Sequence, residues 1–136
     1  MTPDSVPLHA GTWDDLVVGQ AVGPLVHAVE PSLVAAFDAV IPPGGQATAG
    51  DIMPSTMLAT DYVLLLHDTL QLGFGLMTRF ETETLRPVGV GDTVTVQGLV
   101  VDKFVRRERH YWTLRYEVRD RADALCIVHV VTCTVD

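Results

Sequence analysis

The stretch from Met53 to Leu72, MPSTMLATDYVLLLHDTLQL, constrains this chain more than any other. Pro54, followed by Ser55 or Thr56 as a capping hydroxyl, opens it in the manner of a helix. The run that follows is apolar on almost every side, and a helix of that kind must be enclosed by protein or lipid. Asp61, His67 and Asp68 interrupt it, which argues against a bilayer span. The residues that follow alternate in the manner of strands. An antiparallel sheet curved around one long central helix, an α+β architecture, is the simplest way to enclose it.

The remaining elements fit that plan. Leu25 to Val29 reads as a short bent strand after Gly19, Gly23 and Pro24. Pro31 opens a helix in which Leu33, Val34, Phe37 and Val40/Ile41 recur at helical spacing, and Pro42 ends it. Pro42 to Ile52 is a loop by composition. Gly73 and Gly75 close the central helix. Strands are expected over 74–85, 93–104, 110–118 and 125–135, with turns at 86–92 and 120–123. His110, Trp112, Leu114, Tyr116 and Val118 alternate cleanly with polar neighbours. Leu125 to Val135 is apolar on both faces, which fits a central strand. Residues 1–12 read as a loose leader, and 13–136 as a single domain.

The formal charge of −8 argues against nucleic acid and anionic membrane surfaces as partners. Eight Arg and a single Lys, Lys103, supply the positive charge. Cys126 and Cys133 lie seven residues apart on one strand, roughly 20 Å or more, and cannot bridge each other there. The chain shows no zinc-ligand spacing and no signal peptide, so no metal or cofactor is expected and a cytoplasmic location is the default.

Several strings, taken in order, resemble the hot-dog fold and within it the MaoC-like (R)-specific enoyl-thioester hydratases and dehydratases. These are WDDLVVGQAVG from Trp13, EPSLVAAFDAV from Glu30, MPSTMLA from Met53, LRPVGVGDTVTVQGLVVDK from Leu85, and the closing pair HYWTLRYEVRDRADALCIVHVVTCTV from His110. The resemblance implies a homodimer acting on an acyl thioester of coenzyme A or acyl carrier protein, or on a polyketide-like ligand. The family's loop reads Gly-Asp-x-Asn-Pro-x-His. GDIMPST supplies Gly50, Asp51 and Pro54 but places Met53 and Thr56 where Asn and His are expected. A second alignment lets Pro54 open the central helix and rewrites the loop as PPGGQATAGD. We adopt it because thirteen residues separate Phe37 from Gly50. Neither alignment supplies the family histidine, so a non-standard site is expected, with isomerase or cyclase chemistry as close variants.

The chemistry itself needs proton transfer and a polarised thioester carbonyl. Amides at a helix N-terminus can stabilise charge on that oxygen, and the Ser55, Thr56 and Met57 N–H groups fall there. Their plain structural reading is ordinary capped amides. Asp51 is a candidate base or a charge partner of the helix end. Asp61 sits among Met57, Leu58, Leu64 and Leu65, where a carboxylate is costly unless paired or facing a ligand. His110, on the apolar face of its strand, is the preferred proton donor among the histidines, with core packing as its alternative. His129 reads as core, and His9 and His27 carry no signal. Arg106 and Arg107 can receive phosphates of coenzyme A or a phosphopantetheine arm, or form a solvated hairpin tip. A thioesterase using Asp61, and a silent subunit binding a ligand or an active partner, are the alternative functions.

Overall fold

The computed structural model describes residues 13–39, 52–69 and 76–135, apart from the side chains of residues 38 and 67–69. The expected leader, most of the 42–52 loop, Asp51 and the closing glycines lie outside these residues. A 3-10 turn at Trp13–Asp15 comes first. It is followed by β1 (Ala21–Ala28), α1 (Pro31–Ala39), α2 (Asp61–Thr69), β2 (Leu76–Thr84), β3 (Thr93–Arg106), β4 (Arg109–Arg119) and β5 (Leu125–Thr134). The five strands form one antiparallel sheet in the order β1-β3-β4-β5-β2. This is the hot-dog sheet, and β5, apolar on both faces, lies inside it as expected.

Alternation along the strands sorts side chains to two faces. Val94, Val96 and Val100 of β3, with Trp112, Leu114, Tyr116 and Val118 of β4, point inward and are buried. A register shift between Val100 and Asp102 then sends Asp102, Phe104 and Arg106 outward and Lys103 inward. Lys103 donates to the carbonyls of Trp13 (2.9 Å) and Leu16 (2.8 Å) and lies 4.1 Å from the Trp13 ring centroid. The Trp13 Nε1–H donates to the Tyr111 carbonyl at 2.8 Å. One lysine and one tryptophan thus tie the start of the described chain to the β3–β4 pair.

Two expectations need correction. β1 begins at Ala21 rather than Leu25, because Gly23 and Pro24 form a bulge within the strand rather than a break before it. The long central helix also differs. Among the described residues, α2 starts at Asp61, and residues 55–60 form successive turns. Their bonds run three residues back: Met57 N–H to Pro54 O, Ala59 N–H to Thr56 O, and Asp61 N–H to Leu58 O. The sheet claims this segment first. Ile52 bridges Gly89, Met53 N–H donates to Val88 O, and the Tyr116 hydroxyl donates to Ala59 O. Proline and a hydroxyl read as a helix start, but these anchors hold the backbone in turns.

α2 lies over β1 and β3, and Leu65 is its fully buried anchor. A Cβ at Gly23 would come within 2.7 Å of Leu65 Cδ2. A Cβ at Gly98 would come within 2.8 Å of Val22 and 3.3 Å of Leu65. These two glycines on neighbouring strands open the seat that Leu65 fills. Burying such a side chain contributes about 2 kcal/mol.

Candidate active site

The Leu65 seat fixes what lies one turn earlier. Positions four apart share a helix face, so Asp61 is carried toward β1 on the same side as Leu65. On β1, after the bulge, Leu25 and His27 pair with Val96 and Val94, whose side chains point to the core. The two elements bring His27 Nε2 to 2.7 Å from Asp61 Oδ2. Asp61 is 4% exposed, while the His27 side chain keeps 28% exposure. A buried carboxylate therefore stands behind an imidazole that reaches the surface.

The electrostatics follow from this pairing. The hydrogen bond His27 donates to Asp61 raises the His27 pKa, and the partial burial that opposes it does not cancel the effect. With Nε2–H donating to the carboxylate, Nδ1 is left as the free ring nitrogen, with no partner among the described residues. A carboxylate that fixes the tautomer and stabilises the imidazolium makes that nitrogen a stronger base.

Aromatic and polar side chains surround the pair beneath the sheet. Tyr62, next to Asp61, lies 6.0 Å from Trp112 and 6.4 Å from Tyr116, centroid to centroid. Burial, with Tyr62 and Asp61 nearby, pushes the Tyr116 hydroxyl far above its ordinary pKa, so it remains a donor to Ala59 O. His129 is fully buried between Tyr116 and Phe80, with Nδ1 2.9 Å from Thr82 Oγ1. Burial lowers its pKa to about 4, so it is neutral. His129 is thus a core residue, as expected.

The structure separates the other candidates from this pair. His110 packs edge-on against Trp13 at 4.5 Å between ring centroids. It lies six residues, roughly 20 Å of strand, from Tyr116, which touches the segment leading to Asp61. Within one chain, His110 therefore does not stand beside Asp61. Arg106 and Arg107 stand at the far end of β3, twelve or more residues beyond the Val94 that faces His27. That is roughly 40 Å of strand, and Arg106 is on the other face of the sheet, so within one chain they do not belong to the Asp61 site. Met57 does not offer a free amide, because its N–H is bonded to Pro54 O at 3.0 Å. Ser55 Oγ is 2.6 Å from Thr84 Oγ1, and Thr56 is exposed. The backbone N–H groups of Ser55 and Thr56 have no backbone acceptor among the described residues. Asp51 lies outside the described residues. Among them, no group of three or more His, Cys, Asp or Glu side chains is arranged to hold a metal ion.

Sequence reasoning missed His27. The signal was present but weak: Leu25, His27 and Val29 alternate, so the histidine occupies a core-face position in a short apolar strand. The one acid at the start of an apolar helix was its natural partner.

No protein-family model matches the chain, and no curated protein matches it. Solved structures do. The (R)-hydratase from A. caviae involved in PHA biosynthesis is 24% identical over 89% of this chain and 98% of its own, with a TM-score of 0.69. A MaoC-like dehydratase from Rhodospirillum rubrum is 18% identical over 90% and 94%, with a TM-score of 0.69. The C-terminally truncated HadBC (3R-hydroxyacyl-ACP dehydratase) complex from Mycobacterium tuberculosis is 13% identical over 88% and 97%, with a TM-score of 0.74. The chain therefore has the hot-dog fold of MaoC-like hydratases and dehydratases. Among the described residues, no helix is long and apolar enough to cross a membrane.

Proposed function

We propose that this protein is a dehydratase or hydratase of the MaoC-like type, acting on an acyl thioester through a His27–Asp61 dyad in place of the family's loop Asp and His. The observation that carries this reading is the 2.7 Å contact between a buried carboxylate and a partly exposed imidazole. In dehydration, His27 Nδ1 takes the proton from the carbon alpha to the thioester. Asp61 stabilises the imidazolium that forms, and the imidazolium returns the proton to the leaving hydroxyl at the next carbon, releasing water. The charge gathering on the thioester oxygen is met by the Ser55 and Thr56 amides. Acid–base catalysis of this kind contributes about 10²- to 10⁴-fold. Fold similarity to the 3R-hydroxyacyl-ACP dehydratase supports acyl carrier protein as the carrier, and coenzyme A is the carrier the sequence resemblance also implies.

The same reading makes the protein a dimer. β2 is an edge strand of nine residues, exposed along almost its whole length, with Leu76 68% and Met77 43% exposed. An open edge with apolar side chains is a template for a second copy, and two-fold pairing of β2 would cover this edge in both copies.

The test is hydration of crotonyl thioester, followed by loss of enoyl absorbance, with His27→Ala and Asp61→Asn as variants. We expect activity in the wild type and its loss in both variants. Full activity in His27→Ala would overturn the assignment. Release of free thiol without hydration would favour a thioesterase. Inactivity of the wild type together with capture of a second hot-dog chain would favour the subunit reading.

A further inference from the structure

A concavity of about 620 Å³ lies on the outer face of the sheet, the face opposite His27 and Asp61. Its size falls within the range of small-molecule sites. The register shift in β3 supplies one side of it, because from that point Asp102, Phe104 and Arg106 alternate outward in a row, while Thr78, Arg79 and Glu81 of β2 line the other side. Arg107 continues the row at the hairpin tip, and Tyr111 of β4 stacks on Phe104 with centroids 4.9 Å apart and planes 4° apart. The row holds three chemistries in order, spaced by roughly 7 Å per pair of residues: a carboxylate, an aromatic face and two guanidinium groups.

The charges are informative. The chain as a whole carries −8, yet this corner presents Arg106 and Arg107 with no ion-pair partner among the described residues. Arg79, which also lines the concavity, is matched to Glu81, and on the same face Arg115 and Arg119 are matched to Glu117. The hairpin is also held in an unusual form. Arg107 (φ 51°) and Glu108 (φ 64°) both occupy the left-handed region, which a tight hairpin turn normally fills with Asn or Gly. The chain retains two bulky residues there, and one of them lines the concavity.

We infer that this concavity binds a phosphorylated ligand with a planar ring, of the nucleotide class. The phosphate would sit on Arg106 and Arg107, the ring on the Phe104–Tyr111 stack, and a ring amine toward Asp102. Arg suits phosphate through paired, charge-assisted hydrogen bonds, and aromatic faces accept a base by stacking. A free nucleotide and the nucleotide end of a coenzyme A derivative share this chemistry. The site is separate from the His27–Asp61 dyad and does not rest on the function proposed for it.

The test is calorimetric titration of the full chain with adenosine 5′-monophosphate, coenzyme A, adenosine and inorganic phosphate. The variants are Arg106→Ala/Arg107→Ala, Phe104→Leu and His27→Ala. We expect the monophosphate to bind, with adenosine and phosphate each weaker by about tenfold or more. The double arginine variant should lose about tenfold or more in affinity, Phe104→Leu less, and His27→Ala nothing. Binding of coenzyme A without binding of the monophosphate, still lost in the arginine variant, would identify the coenzyme as the source. Absence of binding by both, or binding that survives the arginine substitutions in a folded protein, would overturn the inference. Loss of thioester hydration in His27→Ala with nucleotide binding intact would show that the two sites stand or fall separately.

Discussion

Asp61 and Glu117 are both paired carboxylates, and they live under opposite conditions. Glu117 lies on the outer face of β4, flanked by Arg115 and Arg119 two residues to either side on the same face. Burial tends to raise its pKa, but the hydrogen bonds from the two arginines outweigh this and hold it below the usual carboxylate range. It retains 24% side-chain exposure, and exposed pairs of this kind contribute little to stability. Asp61 has 5% side-chain exposure and, among the described residues, one ion-pair partner, His27. Removing a carboxylate from water costs several kcal/mol unless it is well paired, and a packed apolar residue is often as stable or more so. A ladder of exposed charge is ordinary surface, whereas a buried acid bonded to an accessible imidazole is the arrangement on which the proposed chemistry rests.

Four measurements would break or sharpen that contrast. The largest effect is expected for Asp61→Asn, which keeps the shape but no longer stabilises the imidazolium. The rate of thioester hydration should fall about 10²- to 10⁴-fold, while Glu117→Gln leaves it unchanged. Next comes the helix seat. Gly23→Ala puts a Cβ within 2.7 Å of Leu65 at a backbone φ of 95°. It should cost about 1–3 kcal/mol in urea unfolding and lower activity as well, because the same packing aims Asp61 at His27. Gly98→Ala should act in the same direction with less strain, since its φ is not in the left-handed region.

The third measurement is stability against pH. The Asp61 hydrogen bond holds the folded His27 pKa above its ordinary 6.5. That contribution is complete below 6.5 and is lost as pH rises through the raised value. His129 runs the other way. Its folded pKa of about 4 makes its contribution complete above 6.5 and lost as pH falls toward 4. The urea midpoint should therefore decline on both sides, with Asp61→Asn flattening the alkaline arm and His129→Gln the acid arm. The smallest effect belongs to Glu117→Gln, under about 1 kcal/mol and smaller still in high salt.

The strands were legible because alternation is a local property. His110 to Val118 alternates as β4 does, and the doubly apolar 125–135 stretch becomes the interior strand β5. The start of the helix was not legible, because what delays it to Asp61 is remote. Val88, Gly89 and Tyr116 take hold of Ile52, Met53 and Ala59 from other strands. Asp61 could be picked out as an acid among leucines, but its partner could not. The pairing of His27 with Asp61 depends on a bulge at Gly23–Pro24 and on a seat shared by two glycines 75 residues apart. The arginines of the hairpin were legible as a cluster. Their separation from the dyad became visible only with the strand register.

The latch between Lys103 and the Trp13 turn can be followed chemically. The chain has a single side-chain amine, and Lys103 spends it on the Trp13 and Leu16 carbonyls and the Trp13 ring. Acylating reagents aimed at lysine have one side-chain target, and its amine must give up these bonds to react. The rate of that modification should therefore report on how often the Trp13–Asp15 turn lets go of β3.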